Sequence, residues 1–170
     1  MNSEDILNWI ILNPEFAGLA MFAIGFLESF IISGIIWPSI ILLLFAIGLS
    51  EADIGLIYIC LGAGLGSWIG DLCSFYIVLF FGPKIKGTQF MSKREDIFLK
   101  GEKFFNKYGW GGIVIGRLVP AIRPFIPFIA GLSSMKNITF LFSSVAACII
   151  WTVALAILVI GIDNIISLFN

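Results

Sequence analysis

Residues 116–127 read GRLVPAIRPFIP and lie inside a hydrophobic segment, 110–135, that is long enough to cross a membrane. The stretch nevertheless contains two arginines and three prolines: Arg117, Arg123, Pro120, Pro124 and Pro127. Each proline removes a backbone donor and disfavours helix at the residue before it. Non-helical backbone survives at membrane depth only where it is buried in protein or lines a wet cavity. We therefore expect 110–135 to form a re-entrant helical hairpin rather than a plain spanning helix.

The composition of the whole chain indicates a membrane protein. Of its 170 residues, 59% are hydrophobic and only 12% are charged, whereas a soluble domain carries roughly 25% charged residues. The net charge of −1 leaves no excess of cations for nucleic-acid binding. The lack of histidine excludes His-based triads and zinc sites with histidine ligands. We expect no cofactor and no metal, and we interpret the three cysteines as small buried hydrophobic side chains: Cys60, Cys73 and Cys148.

The first half of the chain contains a second broken segment. After an N-terminal segment, 1–15, the hydrophobic stretch 16–50 is too long for one crossing and too short for two with a turn. Near its middle it carries Glu28, Gly34 and Pro38. A re-entrant hairpin is again the simplest interpretation.

Two other segments have the length of spanning helices, which need about 20 apolar residues. Residues 138–161 form an apolar run with no formal charge. Residues 54–82 are also apolar, although they include Asp71. Small residues allow close helix packing in membranes, and this segment contains four that predict a glycine-lined contact face: Gly62, Gly64, Gly66 and Gly70.

Segment 83–109 holds seven of the ten basic residues, whereas seven acidic residues and no basic residue precede Lys84. The positive-inside rule places this segment in the cytoplasm. We expect an amphipathic helix on the membrane surface, and a solvated connector packed on the bundle is the alternative. The two hairpins then open to opposite sides. The predicted fold is an all-α integral membrane protein of two inverted halves, each a re-entrant helical hairpin followed by a spanning helix, a pattern that indicates a midplane substrate site.

Four formal charges are expected at membrane depth: Glu28, Asp71, Arg117 and Arg123. Each would cost roughly 2.5–3.5 kcal/mol if it were left unpaired. One possibility is that the acids and arginines neutralise one another only to hold the broken segments together. The other is that they bind a ligand, which is attractive because apolar packing would be cheaper than buried ion pairs.

The arginines indicate the class of ligand. Pro120 between Arg117 and Arg123 allows the chain to turn, so both guanidinium groups can converge. Each guanidinium group is a planar fork of N–H donors, and two such groups that converge suit a phosphate or pyrophosphate group. A phosphate-headed lipid is the natural candidate in a chain with little soluble volume. We expect Glu28 to alternate between pairing with one of the arginines and being protonated when phosphate displaces it.

The same arginine stretch resembles the signature of a known family. The run 116–127, followed by Ala130, Gly131 and Met135, looks like that of the DedA family, also called the VTT or SNARE-associated Golgi protein domain. Further residues agree in order and approximate spacing: Phe26, Leu27 and Glu28, then Pro38, Gly70 and Asp71, Tyr76, Tyr108 and Gly109, and Trp151.

The resemblance implies a multi-pass protein of the inner (plasma) membrane that acts as a lipid flippase or scramblase. Bacterial members are linked to recycling of undecaprenyl phosphate, or to phospholipid movement, with dependence on the proton gradient. By position, Glu28, Arg117 and Arg123 match the family's functional acid and paired arginines. Family members often carry a second acid after the proline of the first hairpin, whereas Ser39 and Ile40 follow that proline here. This departure weakens proton coupling more than head-group binding.

Several further expectations complete this interpretation. The expected partners are a phosphorylated lipid, the membrane and a second copy of the chain, because two full crossings make a thin assembly. A membrane assembly factor with purely structural ion pairs is the alternative function. An enzyme acting on lipid phosphates is not expected, because phosphoryl chemistry would need a nucleophile, a general base or a metal site, and the cluster offers no histidine and no acidic metal cage. Five residues are expected to support the site, Asp71 by hydrogen bonding or ion pairing: Pro38, Asp71, Pro120, Pro124 and Gly131.

Overall fold

The computed structural model describes residues 3–34, 39–85, 99, 103–105, 107–119, 123–133 and 135–169. Its main helices, numbered in chain order, are α1 (Ser3–Leu12), α2 (Ala17–Ser29), α3 (Ile31–Gly34), α4 (Ser39–Glu51), α5 (Leu56–Ile85), α6 (Gly111–Arg117), α7 (Phe125–Leu132) and α8 (Asn137–Phe169). A short 3-10 turn, Pro14–Phe16, joins α1 to α2. The described ranges contain helices and no strand, which confirms the all-α prediction. Most of the amphipathic helix expected within 83–109 lies outside them.

Helices α5 and α8 form the long axis of the bundle. Their stretches Leu56–Phe81 and Asn137–Ile165 are long and apolar enough to cross a membrane. Helix α8 does not end at Gly161, where the apolar run was expected to stop, but continues to Phe169. Many large side chains on both helices are exposed, which suits contact with lipid rather than water: Ile57, Tyr58, Leu61, Leu65, Phe80, Phe81, Ile138, Phe142, Ile149, Val153, Ile157 and Leu158.

Glycines allow α2 to lie directly against α5. A Cβ atom added at Gly62, Gly66 or Gly70 would meet the backbone carbonyl oxygen of Gly18, Phe22 or Phe26, respectively. These glycines recur every four residues and therefore lie on one face of α5. Each is 44 positions after its partner, so the two helices run parallel. The predicted glycine contact is thus confirmed with α2 as the partner of these three glycines, whereas the fourth predicted glycine, Gly64, faces Thr152 of α8 instead.

Helix α8 runs antiparallel to α5. The rings of Phe75 and Phe140 stack with centroids 3.9 Å apart, and Trp68 Nε1 donates to Ser144 Oγ at 3.2 Å. Farther along α8, Cys148 Sγ donates to the Gly64 carbonyl oxygen at 3.0 Å. Residue numbers therefore rise along one helix as they fall along the other.

Two pairs of short helices approach the middle of α5 from opposite ends. Helix α2 ends beside that middle, where the Ile31 amide donates to Ser74 Oγ at 2.9 Å, and α4 returns to the start of α5, where the Ile54 amide donates to the Leu49 carbonyl oxygen. Helix α6 contacts α7 and α8, and α7 runs from the middle of α5 toward its C-terminal end. The order of short pair followed by long helix thus occurs twice, in opposite directions.

The packing of these halves produces two apolar clusters. The first joins α1, α2 and α4 to the start of α5 and the second half of α8, with Leu155 and Val159 among its members. The second joins α6 and α7 to the later part of α5 and the first half of α8, and includes Phe75 and Phe140. In the second cluster, α7 is pressed on α5, because a Cβ atom at Gly131 would lie 3.0 Å from the Phe75 carbonyl oxygen.

Candidate functional site

Four charged side chains lie at the boundary between the two apolar clusters. Glu28, Asp71, Arg117 and Arg123 are each at most 3% exposed. They meet beside the middle of α5, where α2 and α6 end and α7 begins. Because an unpaired charge at membrane depth is costly, these groups have to be organised as pairs or around a ligand.

Helix ends position three of the four charges. Glu28 lies in the last turn of α2, Arg117 is the last residue of α6, and Arg123 immediately precedes Pro124, the N-cap of α7. The fixed φ of proline, here −65°, suits a position just before a helix. Asp71 is different, since it projects from within the long helix α5. Short helices that end inside the bundle therefore bring their terminal side chains together.

The four charges form two ion pairs. Arg123 Nη1 lies 2.6 Å from Glu28 Oε1, and Arg117 Nη1 pairs with Asp71 Oδ2. The first half of the chain contributes both acids and the second half contributes both arginines, so the pairs tie the halves together. With all four groups ionised, the site has no net charge.

Two buried serines connect the arginines. Arg117 Nη2 donates to Ser67 Oγ at 2.6 Å, and Arg123 Nη2 donates to the same oxygen. Arg123 Nη2 also donates to Ser29 Oγ at 3.0 Å, and the two serine hydroxyls lie 2.5 Å apart. The guanidinium groups therefore converge on a single oxygen, which places them close enough to donate to one anion.

An aromatic ring covers the arginine pair. The ring centroid of Trp151, on α8, lies 4.0 Å from Arg123 Cζ and 6.0 Å from Arg117 Cζ. A guanidinium group over an indole ring is stabilised by cation–π attraction. The indole ring thus covers one face of the Arg123 guanidinium group, and the N–H groups at the edge of that guanidinium remain available for hydrogen bonds.

The site retains polar atoms whose hydrogen-bonding capacity is not used within the described part of the chain. These buried atoms are Glu28 Oε2, Asp71 Oδ1, Arg117 Nε and Arg123 Nε. Buried polar atoms in folded proteins are nearly always satisfied, so each one needs an explanation such as a bound ion, water or ligand. The same ranges contain no group of three metal-ligating side chains.

A cavity of about 350 Å³ adjoins the charged group. Glu28, Arg117, Arg123 and Trp151 lie at its polar end. Ser39, at the start of α4, also lines it. Aliphatic side chains of α4 and α8 form the remainder of its wall together with Leu118: Ile40, Leu42, Leu43, Leu155 and Leu158. The cavity therefore combines a cationic end with a hydrocarbon wall.

The residues expected to support the site have different positions. Pro38 and Pro120 lie outside the described residues. Pro124 lies at the meeting point of the two halves, since a Cβ atom at Gly34 would be 3.0 Å from its Cγ atom. Gly131 lies away from the charges and packs α7 against α5. The functional roles assigned to all these residues remain predictions.

Three residues at the site were not anticipated as contacts of the arginines: Ser29, Ser67 and Trp151. A signal for Ser67 was present, because Ser67, Asp71 and Ser74 recur at helical spacing on the otherwise apolar α5. Ser29 directly follows Glu28. Trp151 agreed with the family resemblance, but its contact with Arg123 depends on the antiparallel packing of α8 and was not indicated by the sequence.

Comparison with known proteins finds relatives among membrane proteins. The family model of the VTT domain matches residues 37–161. An uncharacterized membrane protein of Buchnera aphidicola is 28% identical over 130 residues, which cover 75% of this chain and 50% of that protein. The inner membrane protein YabI of Escherichia coli is 24% identical over 146 residues, which cover 85% of this chain and 57% of YabI. The chain thus spans about half the length of these two relatives.

A third relative has a functional name. The undecaprenyl phosphate transporter A of Bacillus subtilis is 29% identical over 154 residues, which cover 88% of this chain and 72% of that protein. No solved structure matches the chain. Since the family model covers most of the sequence, from Trp37 through the arginine stretch to Gly161, the chain belongs to the VTT-domain, or DedA, family of membrane proteins.

Proposed function

We propose that this chain moves a phosphate-headed lipid, such as undecaprenyl phosphate or a phospholipid, across the membrane as a flippase or scramblase. The observation that carries the proposal is the convergence of Arg117 and Arg123 on one buried oxygen, at the end of a cavity with aliphatic walls. The undecaprenyl phosphate transporter among the relatives makes a polyprenyl phosphate a suitable first substrate to test.

The head group would take the place that the serine hydroxyls and the Glu28 carboxylate now occupy. Phosphate oxygens accept from both forks, and the Nε donors of the arginines offer further hydrogen bonds. Arg123 would exchange Glu28 for phosphate, whereas Arg117 would keep Asp71 as a fixed partner. The Arg123–Glu28 pair is the one expected to exchange, because Glu28 lines the cavity and Asp71 does not.

Charge balance connects this exchange to protons. The four ionised groups cancel, so a bound phosphate would leave a net negative charge in a medium of low dielectric constant, where such a charge is costly. Protonation of the displaced Glu28 would remove one negative charge. We propose that phosphate binding and proton uptake at Glu28 occur together, which provides a route for coupling to a proton gradient.

In the membrane, the α2–α4 and α6–α7 pairs would be re-entrant hairpins that enter from opposite sides. The charged group lies beside the middle of α5, and the stretch Leu56–Phe81 is long enough to cross the bilayer, so this group would lie near the midplane. We propose a multi-pass protein of the inner membrane in which segment 83–109 faces the cytoplasm. The thin bundle and its broad apolar surface favour association with a second copy of the chain.

Reconstitution tests the proposal. Purified chain in liposomes is expected to change the sidedness of a fluorescent prenyl phosphate without altering its chemistry. Arg117→Lys and Arg123→Lys should each sharply reduce the rate, because lysine offers a point charge in place of a fork. Lys136→Arg exchanges the same side chains at an exposed position and should have no effect. Normal transport by both lysine variants would overturn phosphate recognition by these arginines.

One observation favours a second function, that of a membrane assembly factor. Both arginines are already paired with carboxylates, and the four charges cancel without a ligand. Wild-type protein that is folded in liposomes yet moves no phosphate-headed lipid would favour this function. The ion pairs would then serve only to join the two halves.

A further inference from the structure

The cavity beside the arginines has a second end that head-group binding does not use. Ile40 of α4 and Leu158 of α8 line this end and are 61% and 52% exposed, respectively. Their side chains belong both to the cavity wall and to the outer apolar surface. The cavity is therefore continuous from the buried guanidinium groups to that surface, through an opening between α4 and α8.

We infer that this α4–α8 opening is a binding site for the hydrocarbon chain of the lipid, next to its head group. The inference rests on the proposed function, because it places the phosphate on Arg117 and Arg123. Charge complementarity defines one end of the occupant as an anion, and the aliphatic wall defines the other end as a hydrocarbon. A free phosphate ion would use only the polar end.

The position of the opening also indicates which leaflet would contain the hydrocarbon chain of the bound lipid. Helix α4 runs from the middle of α5 back to its start, and Leu155 and Leu158 lie in the second half of α8, beside the first apolar cluster. This is the half of the bundle opposite the end of α5 that leads into segment 83–109. A lipid bound here would have its chain in the leaflet opposite that basic segment.

Binding of phosphates that differ only in their chain provides the test. The full chain in phosphatidylcholine nanodiscs is titrated with methyl phosphate and with geranyl phosphate, and partition into empty nanodiscs is subtracted. We expect geranyl phosphate to bind at least about tenfold more tightly, since burial of roughly two methylene groups corresponds to that factor. Arg123→Lys should weaken binding of both ligands.

Tryptophan substitutions identify the opening. Ile40→Trp and Leu158→Trp should abolish the advantage of geranyl phosphate and leave methyl phosphate binding unchanged. Leu44→Trp and Ile157→Trp are matched controls, because these residues lie on the same helices with similar exposure, 60% and 64%, but do not line the cavity. Both controls should retain the advantage.

The outcomes separate the inference from the proposed function. If methyl phosphate binds but the geranyl chain adds nothing, or if Ile40→Trp and Leu158→Trp keep its full advantage, the chain site is wrong and the head-group site stands. If neither phosphate binds the wild-type protein, the proposed function and the inference both fail. A loss of the advantage in the control variants as well would overturn the α4–α8 location.

Discussion

The indole ring of Trp151 lies on the face of Arg123, with 4.0 Å between the ring centroid and Cζ. Arg123 also reaches Glu28 and Ser29 at its edge. Stacking and hydrogen bonding therefore use different parts of one guanidinium group. This arrangement fixes the plane of the group while its edge remains able to exchange one acceptor for another.

The stacking predicts a difference between two substitutions of Trp151. Trp151→Phe keeps an aromatic face and should retain most phosphate binding, whereas Trp151→Leu removes the cation–π attraction, worth about 0.5–2 kcal/mol. We expect the leucine variant to bind methyl phosphate roughly twofold to thirtyfold more weakly. Titration of both variants in nanodiscs checks this. Equal binding by the two variants would contradict a positioning role for the ring.

The shared acceptor Ser67 should contribute to stability. Ser67→Ala removes the oxygen that accepts from both arginines and should lower the free energy of unfolding by about 1–3 kcal/mol. Thermal unfolding in detergent measures the loss. Ser143→Ala is the matched control, because Ser143 is also buried but its hydroxyl donates to the Thr139 carbonyl oxygen of its own helix. The idea fails if the two alanine variants unfold at the same temperature.

The two ion pairs should respond differently to loss of charge. Glu28→Gln and Asp71→Asn each leave an arginine with an uncharged partner, and breaking a buried pair costs about 3–5 kcal/mol, so both variants should be less stable. Transport by Glu28→Gln should in addition lose its dependence on pH, whereas Asp71→Asn should retain it. Measurement of the transport rates of both variants in liposomes across a pH series tests this difference. An unchanged pH profile in the glutamine variant would exclude Glu28 as the proton carrier.

Close helix packing predicts opposite effects at two glycines. A Cβ atom at Gly66 would lie within 3 Å of the Phe22 backbone, so Gly66→Ala should destabilise the protein by about 1–3 kcal/mol. A Cβ atom at Gly161 meets nothing within 4 Å, so Gly161→Ala should stabilise α8 by about 0.5–1 kcal/mol. Thermal unfolding in detergent should therefore show shifts of opposite sign.

Much of the fold could be predicted because membrane insertion imposes strict length and charge rules. The two long helices followed from apolar length, and the glycine contact face of α5 followed from the spacing of its small residues. The broken segments were indicated by charges and prolines that a spanning helix does not tolerate. The predicted end of α8 at Gly161 followed the apolar run, whereas the helix continues past the first charged residue after it, Asp163, whose Oδ2 accepts a hydrogen bond from Ser50 Oγ at 2.5 Å.

The site was predictable in its residue types and less so in its pairing. Burial made it clear that Glu28, Asp71, Arg117 and Arg123 had to meet partners, but local sequence could not show which acid faces which arginine. That choice depends on the parallel packing of α2 on α5 and on the entry of α6 and α7 from the other end. Contact between Trp151 and Arg123 also depends on this three-dimensional arrangement, since 28 positions separate them in the sequence.

The contact between Gly131 and α5 has a consequence for motion. In the second half of the chain, α7 is pressed on α5, whereas in the first half its counterpart α4 leaves an open space beside α8. Two halves with the same order of elements therefore differ in how tightly they close. For the proposed transport, an exchange of the two packings would close the space beside α8 and open one beside α5, on the side of the other leaflet.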